Sequence, residues 1–288
     1  MSFLIRELPV AEFPAGLREI PQPPTTLNFR GALPSPDIKL LSIVGSRKYT
    51  TYGKQVIDDL VAGLANYRVG IVSGLALGID SLAHEAALKH GLYTLAIPGG
   101  GIDDSVIYPA THRPLAHRIL EAGGCLLSEY DPTFQATKWS FPQRNRLVAG
   151  ISQATLLVEA AELSGTLITA RLATDYNREL LVVPGSIFSK NSVGVHQFLK
   201  LGATPVTTAK DILEALNINT DTEAPQTLPL PNFSPAESKV LSLLTAPLHR
   251  DELIRKLNLP THEAAQLLML MELNGHIVQS SNVYRYGR

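Results

Sequence analysis

Between residues 40 and 216 the chain repeats one alternation that leaves few folds open to it. Short, mostly uncharged runs, "LLSIVG", "VGIVSG", "TLAIPG", "CLLSEY", "ATLLVEA" and "LLVVPG", are separated by segments of helical period, among them 53–66, 79–90, 166–177 and 208–216. A strand without a polar face must be covered on both sides, and helices between successive strands supply that cover. The pattern predicts an α/β domain with a doubly wound parallel sheet. Several strands run straight into glycine or small polar residues: Gly45-Ser46-Arg47, Ser73-Gly74, Gly99-Gly100-Gly101 and Gly185-Ser186. Parallel strands share one carboxyl edge, where ligands bind, so these turns are expected along one rim.

The flanks read differently. Residues 1–39 carry Pro9, Pro14, Pro21, Pro23, Pro24, Pro34 and Pro36, too many for a long helix or a central strand, and are expected to form an extended arm laid over the domain. The domain itself is assigned to 40–218. Residues 219–232 are polar and proline-rich, a semi-extended linker. Within 233–288, Ser234-Pro235 opens a helix with an N-cap and a proline at the first position. "HRDELIRKL" and "THEAAQLLMLMELNG" give two more, the last ending at Gly275. Two β-prone runs around Ser281-Asn282 complete three helices and a hairpin, the pattern of a small winged-helix domain.

With 288 residues and a formal net charge of -1, the chain lacks the basic excess of an indiscriminate polyanion binder, so any such site is local. One window answers to that description. From Pro132 to Val158 there is no Asp or Glu, while Lys138, Arg144 and Arg146 are interleaved with Trp139 and Phe141. A helix read as starting at Pro142 places Arg144, Asn145 and Arg146 in its first turn, where cations oppose the helix dipole unless an anion binds them. Lys138 and Phe141 then offer a charge for a phosphate and a ring for a base. The alternative, Phe141 in the core and the cations on a solvated face, stays open on the residues alone.

The strand-to-helix turns extend the same reading. Gly45, Ser46, Ser73, Gly74 and Gly100 let backbone N–H groups approach a phosphate, and Ser164 can cap a helix whose first amides, at Gly165 and Thr166, face an anion. Arg47, directly after a buried-looking strand, can clamp phosphate through its planar fork. Each turn taken singly is also an ordinary tight turn. Their number on one rim, together with Arg47, favours the anion site.

Other chemistries find little support. No G-x-G-x-x-G or P-loop occurs and no His-Cys cluster has metal spacing, so no cofactor and no metal are expected. Cys125, the single cysteine, excludes an intramolecular disulfide and fits a reducing compartment. With no export signal or membrane span visible, the expected location is the cytoplasm. Asp80 and His84 share a helical face, with structural roles favoured over a catalytic pair. Glu129 and Glu159 at strand ends suit either acid–base work or ion pairs with Arg144, Arg146 or Arg171. The third C-terminal helix presents Thr261, His262, Glu263, Ala264 and Gln266, a poor DNA reader, while Met269, Leu270, Met271 and Leu273 are expected in that module's core. Ile212, Leu213 and Leu216 recur at helical spacing and suit either a dimer face or their own domain's core.

Together the motifs "IVGSR", "VSGLALGIDSLAHEAAL", "GGGID", "FPQRNR", "LVEA", "SGTLITA" and "VPG" resemble the DNA-processing protein A family, also called Smf, from about Phe13 to Leu216. The resemblance implies an extended Rossmann-like sheet that binds single-stranded DNA without catalysis, forms a homodimer, and loads the RecA recombinase during natural transformation while displacing or bypassing single-strand-binding protein. It also implies DNA contacts at Arg47, Lys138, Phe141, Arg144 and Asn145. The C-terminal module is similar to a winged-helix domain that some members carry. A competing class is a nucleotide-processing hydrolase related to the phosphoribohydrolases, whose "PGG-G-T" loop is followed by a glutamate. "IPGGGIDDSV" lacks both the Thr and the Glu.

Overall fold

The protein is described from a computed structural model covering residues 3–219, 234–244, 248–273, 276–280 and 282–286. It divides into two compact units, Met1–Pro225 and Gln226–Arg288. The strands of the first are β1 Ile5–Glu7, β2 Asn28–Gly31, β3 Lys39–Val44, β4 Val69–Ser73, β5 Tyr93–Ala96, β6 Cys125–Ser128, β7 Ala154–Leu157, β8 Glu179–Val182 and β9 Thr204–Pro205. Its helices are α1 Ala15–Arg18, α2 Thr51–Ala62, α3 Ile79–Lys89, α4 Arg113–Glu121, α5 Ser140–Ile151, α6 Thr166–Asp175, α7 Val193–Lys200 and α8 Ala209–Ala215.

All nine strands form one sheet in the order β1-β2-β6-β5-β4-β3-β7-β8-β9. From β6 to β9 every pairing is parallel, as the alternation predicts. The chain moves from β3 outward through β4, β5 and β6, then returns to the other side of β3 to lay down β7. That reversal opens a crevice between the loops after β3 and β7.

Alternate residues of β3 show why its run carries no polar face. Leu40 and Val44 join one buried cluster with Leu95, Leu127, Leu147 and Phe198. Leu41 and Ile43 join the other with Ile57, Leu60, Ile79 and Leu213. Thr50 caps α2 by accepting from the Gly53 N–H, and Thr208 with Asp211 forms a capping box at α8.

One expectation changes and one open alternative closes. The proline-rich arm is not merely draped over the domain. Its β2 pairs antiparallel with β6, and β1 pairs antiparallel with β2, so a run before Pro9 and another between Pro24 and Pro34 extend the sheet. Prolines are tolerated there because they fall outside both strands, Pro9 after β1 and Pro24 and Pro34 on either side of β2, rather than interrupt them. Ile212, Leu213 and Leu216, which suited either a dimer face or their own domain's core, are buried in that core.

The second unit holds α9 Pro235–Leu243, β10 Leu248–His249, α10 Arg250–Leu257, α11 Thr261–Leu273, β11 Ile277–Ser280 and β12 Val283–Tyr286. Its sheet runs β10-β12-β11, adding one short strand to the expected hairpin. Ser234 and Glu237 form a capping box at α9. Ala264, Leu268 and Met271 fill this unit's core, whereas Met269 and Leu270 are exposed rather than buried as expected. The linker beyond Asn219, and the turn residues Gly275 and Ser281, lie outside the described residues. Among the described residues no helix is long and apolar enough to cross a membrane.

One buried group makes the fold sensitive to acid. His84 on α3 is fully buried, with Nδ1 2.7 Å from the Thr94 hydroxyl. Burial first, then the charges of His112 and Arg144, lowers its pKa from 6.5 to about 3. The unfolded chain therefore binds more protons between those two values. This group's contribution is complete above the unfolded value and is lost as pH falls towards the folded one. In denaturant titrations over that window, the wild-type protein should lose stability more steeply than His84→Gln, by on the order of a few kcal/mol. Parallel pH profiles would remove this role from His84.

Candidate functional site

The crevice at the strand reversal is a cleft of about 810 Å³. One wall is the loop after β3, Gly45 to Lys48. The opposite wall is the loop leading into α6, with Ser164, Gly165 and Thr166, while Lys138, Phe141 and Asn145 close the side formed by α5. The structure thus gathers nine sequence-predicted residues, Gly45, Ser46, Arg47, Lys138, Phe141, Asn145, Ser164, Gly165 and Thr166, around one opening.

Their roles differ. Arg47 and Lys138 are exposed, and no hydrogen bond or ion pair among the described residues engages either cationic head. The Arg47 guanidinium lies 5.6 Å from the centroid of the Phe141 ring, within cation–π range. Phe141 is half-buried, with one side against Gly99, where a Cβ would collide with the ring, and with Tyr108 at 5.6 Å between centroids. Its placement therefore combines both alternatives posed for it, a packed ring that still lines the opening. Thr166 donates its hydroxyl to the Gly45 carbonyl at 2.9 Å and joins the two walls. Ser164 accepts weakly from the Thr166 amide at 3.3 Å, so α6 begins one residue later than a Ser164 cap requires. No neighbour lies within 4 Å of a Cβ built on Gly165, leaving its backbone open to a ligand.

The remaining predicted contacts lie beneath the cleft. Helix α5 begins at Ser140 rather than Pro142, because the Ser140 hydroxyl donates to the Gly99 carbonyl at 2.5 Å and accepts from the Thr137 amide. Pro142 therefore sits within the first turn, where no amide is needed, and Arg144 falls in the second. Arg144 is only 4% exposed, and its Nη1 donates to the carbonyls of Gly74, at 2.6 Å, and Ile97. Arg146 is buried and pairs with Glu129 at 2.5 Å. Neither guanidinium reaches the opening, which corrects the reading of both as exposed DNA contacts. Buried carbonyl and carboxylate partners, not a bound anion, explain the cations near the start of α5.

Several glycines prove to be packing devices. A Cβ on Gly74 would lie 2.6 Å from Asp80 Oδ2 and 2.7 Å from Arg144 Cζ, so glycine lets those charges approach. Ser73 donates to the Ile43 carbonyl at 2.6 Å and is wholly buried. Gly100 packs against the backbone of Phe134 and Ala136, so this loop cannot cradle a phosphate.

The acidic candidates are likewise committed. Asp80 Oδ2 accepts from the Gly74 amide at 3.1 Å, and burial raises its pKa despite the opposing charge of Arg144. Glu159 accepts from the amide and hydroxyl of Thr50 at the start of α2. Burial also raises the pKa of Glu129, against the pull of Arg146. Asp80 and His84 bond to different partners. Among the described residues there is no group of three or more potential ligands suited to a metal.

Lys48, Tyr108, Leu163 and Asn191 also line the cleft without having been singled out for it. Lys48 was findable as Arg47's neighbour. Asn191, whose Nδ2 donates to the Lys48 carbonyl at 2.8 Å, lies in the single 3-10 turn Lys190–Ser192, too short for a periodic signal.

Residues 7–217 match the family described as DNA recombination-mediator protein A, and residues 222–282 match the DprA winged helix domain. The chain is 37% identical to the Bacillus subtilis DNA processing protein DprA over 220 residues, 74% of this chain and 71% of that protein. It is 42% identical to Escherichia coli protein Smf over 61% of this chain and 46% of that protein, so it spans less than half of that relative's length. The Streptococcus pneumoniae DNA processing protein A structure superposes with a TM-score of 0.68 at 36% identity, covering 73% of this chain and 74% of that one. A Helicobacter pylori DNA processing protein A structure, described for its single-stranded DNA binding mode, gives 0.66 at 30% identity, covering 75% and 96%. With the family model matching most of the chain and the winged-helix model matching its C-terminal residues, the chain belongs to the DNA recombination-mediator protein A family.

Proposed function

We propose that this protein is a single-stranded-DNA-binding recombination mediator, without enzymatic activity, that holds incoming DNA and loads the RecA recombinase onto it. The observation that carries this reading is the placement of two cations without an ionic or hydrogen-bonding partner among the described residues, Arg47 and Lys138, around the accessible ring of Phe141. Cations at a groove take phosphates and the ring takes a base, a combination that suits a single strand whose bases are turned outward. A duplex hides those faces. The Helicobacter pylori relative's described binding mode supports the assignment. RecA loading and homodimerisation rest on family membership, and light scattering that finds only monomer would withdraw the dimer. The cytoplasm is the compartment in which this work would take place.

Packing around the "PGGG" loop weighs against the hydrolase alternative. The "PGGG" loop is buried beneath residues 131–141, where Cβ atoms on Gly99, Gly100 and Gly101 would strike Phe141, Phe134 with Ala136, and Pro132. A nucleotide phosphate has no access to that loop.

Competition titrations of labelled single-stranded against double-stranded oligonucleotide, run beside a nucleotide-hydrolysis assay, test the proposal. Marked single-strand preference with no turnover is expected, and turnover without strand binding contradicts it. Variants then separate charge from ring. Arg47→Ala should weaken binding and flatten the plot of log affinity against log salt by about 0.7, one phosphate contact on a single strand. Phe141→Ala should cost about 1 to 3 kcal/mol of binding yet keep the wild-type slope, since a lost base contact releases no counterion. Thermal melts of both variants confirm that folded protein is being compared.

A further inference from the structure

We infer that Trp139 is a second base-stacking platform, outside the cleft, for the strand that leaves it past Lys138. The inference rests on the proposed single-strand reading and extends it to a surface beyond the cleft lining.

Trp139 is 57% exposed, large for an indole on a folded surface. It adjoins Lys138, which lines the cleft, and precedes by two residues the Phe141 ring inside it. The indole is not loose. Its ring lies 5.9 Å from Tyr130 in an edge arrangement and 5.7 Å from Phe134, and those two rings stack at 4.7 Å. The supporting loop is pinned to the domain. The Gly101 amide donates to the Phe134 carbonyl at 2.8 Å, and the Asp103 amide donates to the Pro132 carbonyl at 2.9 Å. Tyr130 ties back through its hydroxyl, 3.3 Å from the Ser140 carbonyl.

An aromatic held from behind with its outer part in solvent is prepared to accept another ring at little ordering cost. The local charge fits a nucleic-acid strand. The next acidic residue before Trp139 is Asp131, whose Oδ1 accepts from the amide and hydroxyl of Thr133, and none follows until Glu159, which is buried. A strand whose phosphate meets Lys138 and whose base meets Phe141 would pass the indole with its next bases unstacked. The occupant is therefore a nucleobase, recognised by its π face without sequence preference.

Trp139 is the only tryptophan in the chain, so indole emission, excited on the long-wavelength side of tyrosine absorption, reports on this position alone. The full chain is titrated with oligothymidylates spanning about 4 to 16 nucleotides, the range of characterised single-strand grooves, and with an abasic strand of equal phosphate count. Anisotropy of the labelled strand reports binding, and indole emission reports stacking. Saturating quenching is expected with the longer oligothymidylates, with far less from the shortest and from the abasic strand. Trp139→Ala should weaken binding of the longer strands by about five- to one-hundredfold at an unchanged salt slope, while Trp139→Phe should retain most of the affinity. Anisotropy that saturates with indole emission unmoved, or Trp139→Ala binding all lengths as wild type, overturns the platform and leaves the cleft reading standing. Absence of any anisotropy change in the wild-type protein overturns both.

Discussion

The guanidinium of Arg144 is the interaction on which the site depends. It is buried in the second turn of α5 and donates to carbonyls just beyond β4 and β5, those of Gly74 and Ile97. A buried charge must be compensated by hydrogen bonds and opposite charge. Here the carbonyl oxygens provide the bonds and the buried Asp80 carboxyl provides the field, with Gly74 leaving room between them. Burial lowers the pKa of Arg144 and raises that of Asp80. Both directions follow from the withdrawal of the pair from water.

That anchorage sets the geometry above it. With Arg144 fixed to two strand ends, α5 has a defined height and rotation, and Phe141 and Asn145 face the opening while Arg146 turns inward to Glu129. The sheet reversal supplies the crevice, Thr166 bridges its walls, and Arg47 and Lys138, without an ionic or hydrogen-bonding partner among the described residues, remain available to a ligand. The cations near this site thus divide between holding the scaffold and facing solvent, although both kinds sit in one short stretch of sequence.

Much of the fold was legible because strand runs such as "LLSIVG" have no polar face and end in turn residues. Strands β1 and β2 were not, since nearby prolines mask two short strands, of which β2 finds its partner β6 about a hundred residues away and β1 pairs only with β2. Within the site, Arg47, Lys138 and Phe141 were legible from residue type and spacing. Arg144 and Arg146 were misplaced because the acid-free window favoured a bound anion over the ion pair with Glu129 that the sequence also allowed. Their true partners, two backbone carbonyls and Glu129, stand just past the ends of β4, β5 and β6. Gly74 and Gly100 were misread for a related reason: a glycine admitting a ligand and one admitting a neighbouring side chain look alike until the neighbour is seen.

The division between scaffold and contact is tested most directly on Arg144 itself. Arg144→Gln should lower thermal stability substantially, about 3 to 5 kcal/mol being typical when one partner of a buried charge pair is removed. At temperatures where the variant stays folded, the salt slope of its single-strand affinity should equal that of wild type. A variant with wild-type stability and a slope flattened by about 0.7 would mean that Arg144 reaches a phosphate, contradicting the account.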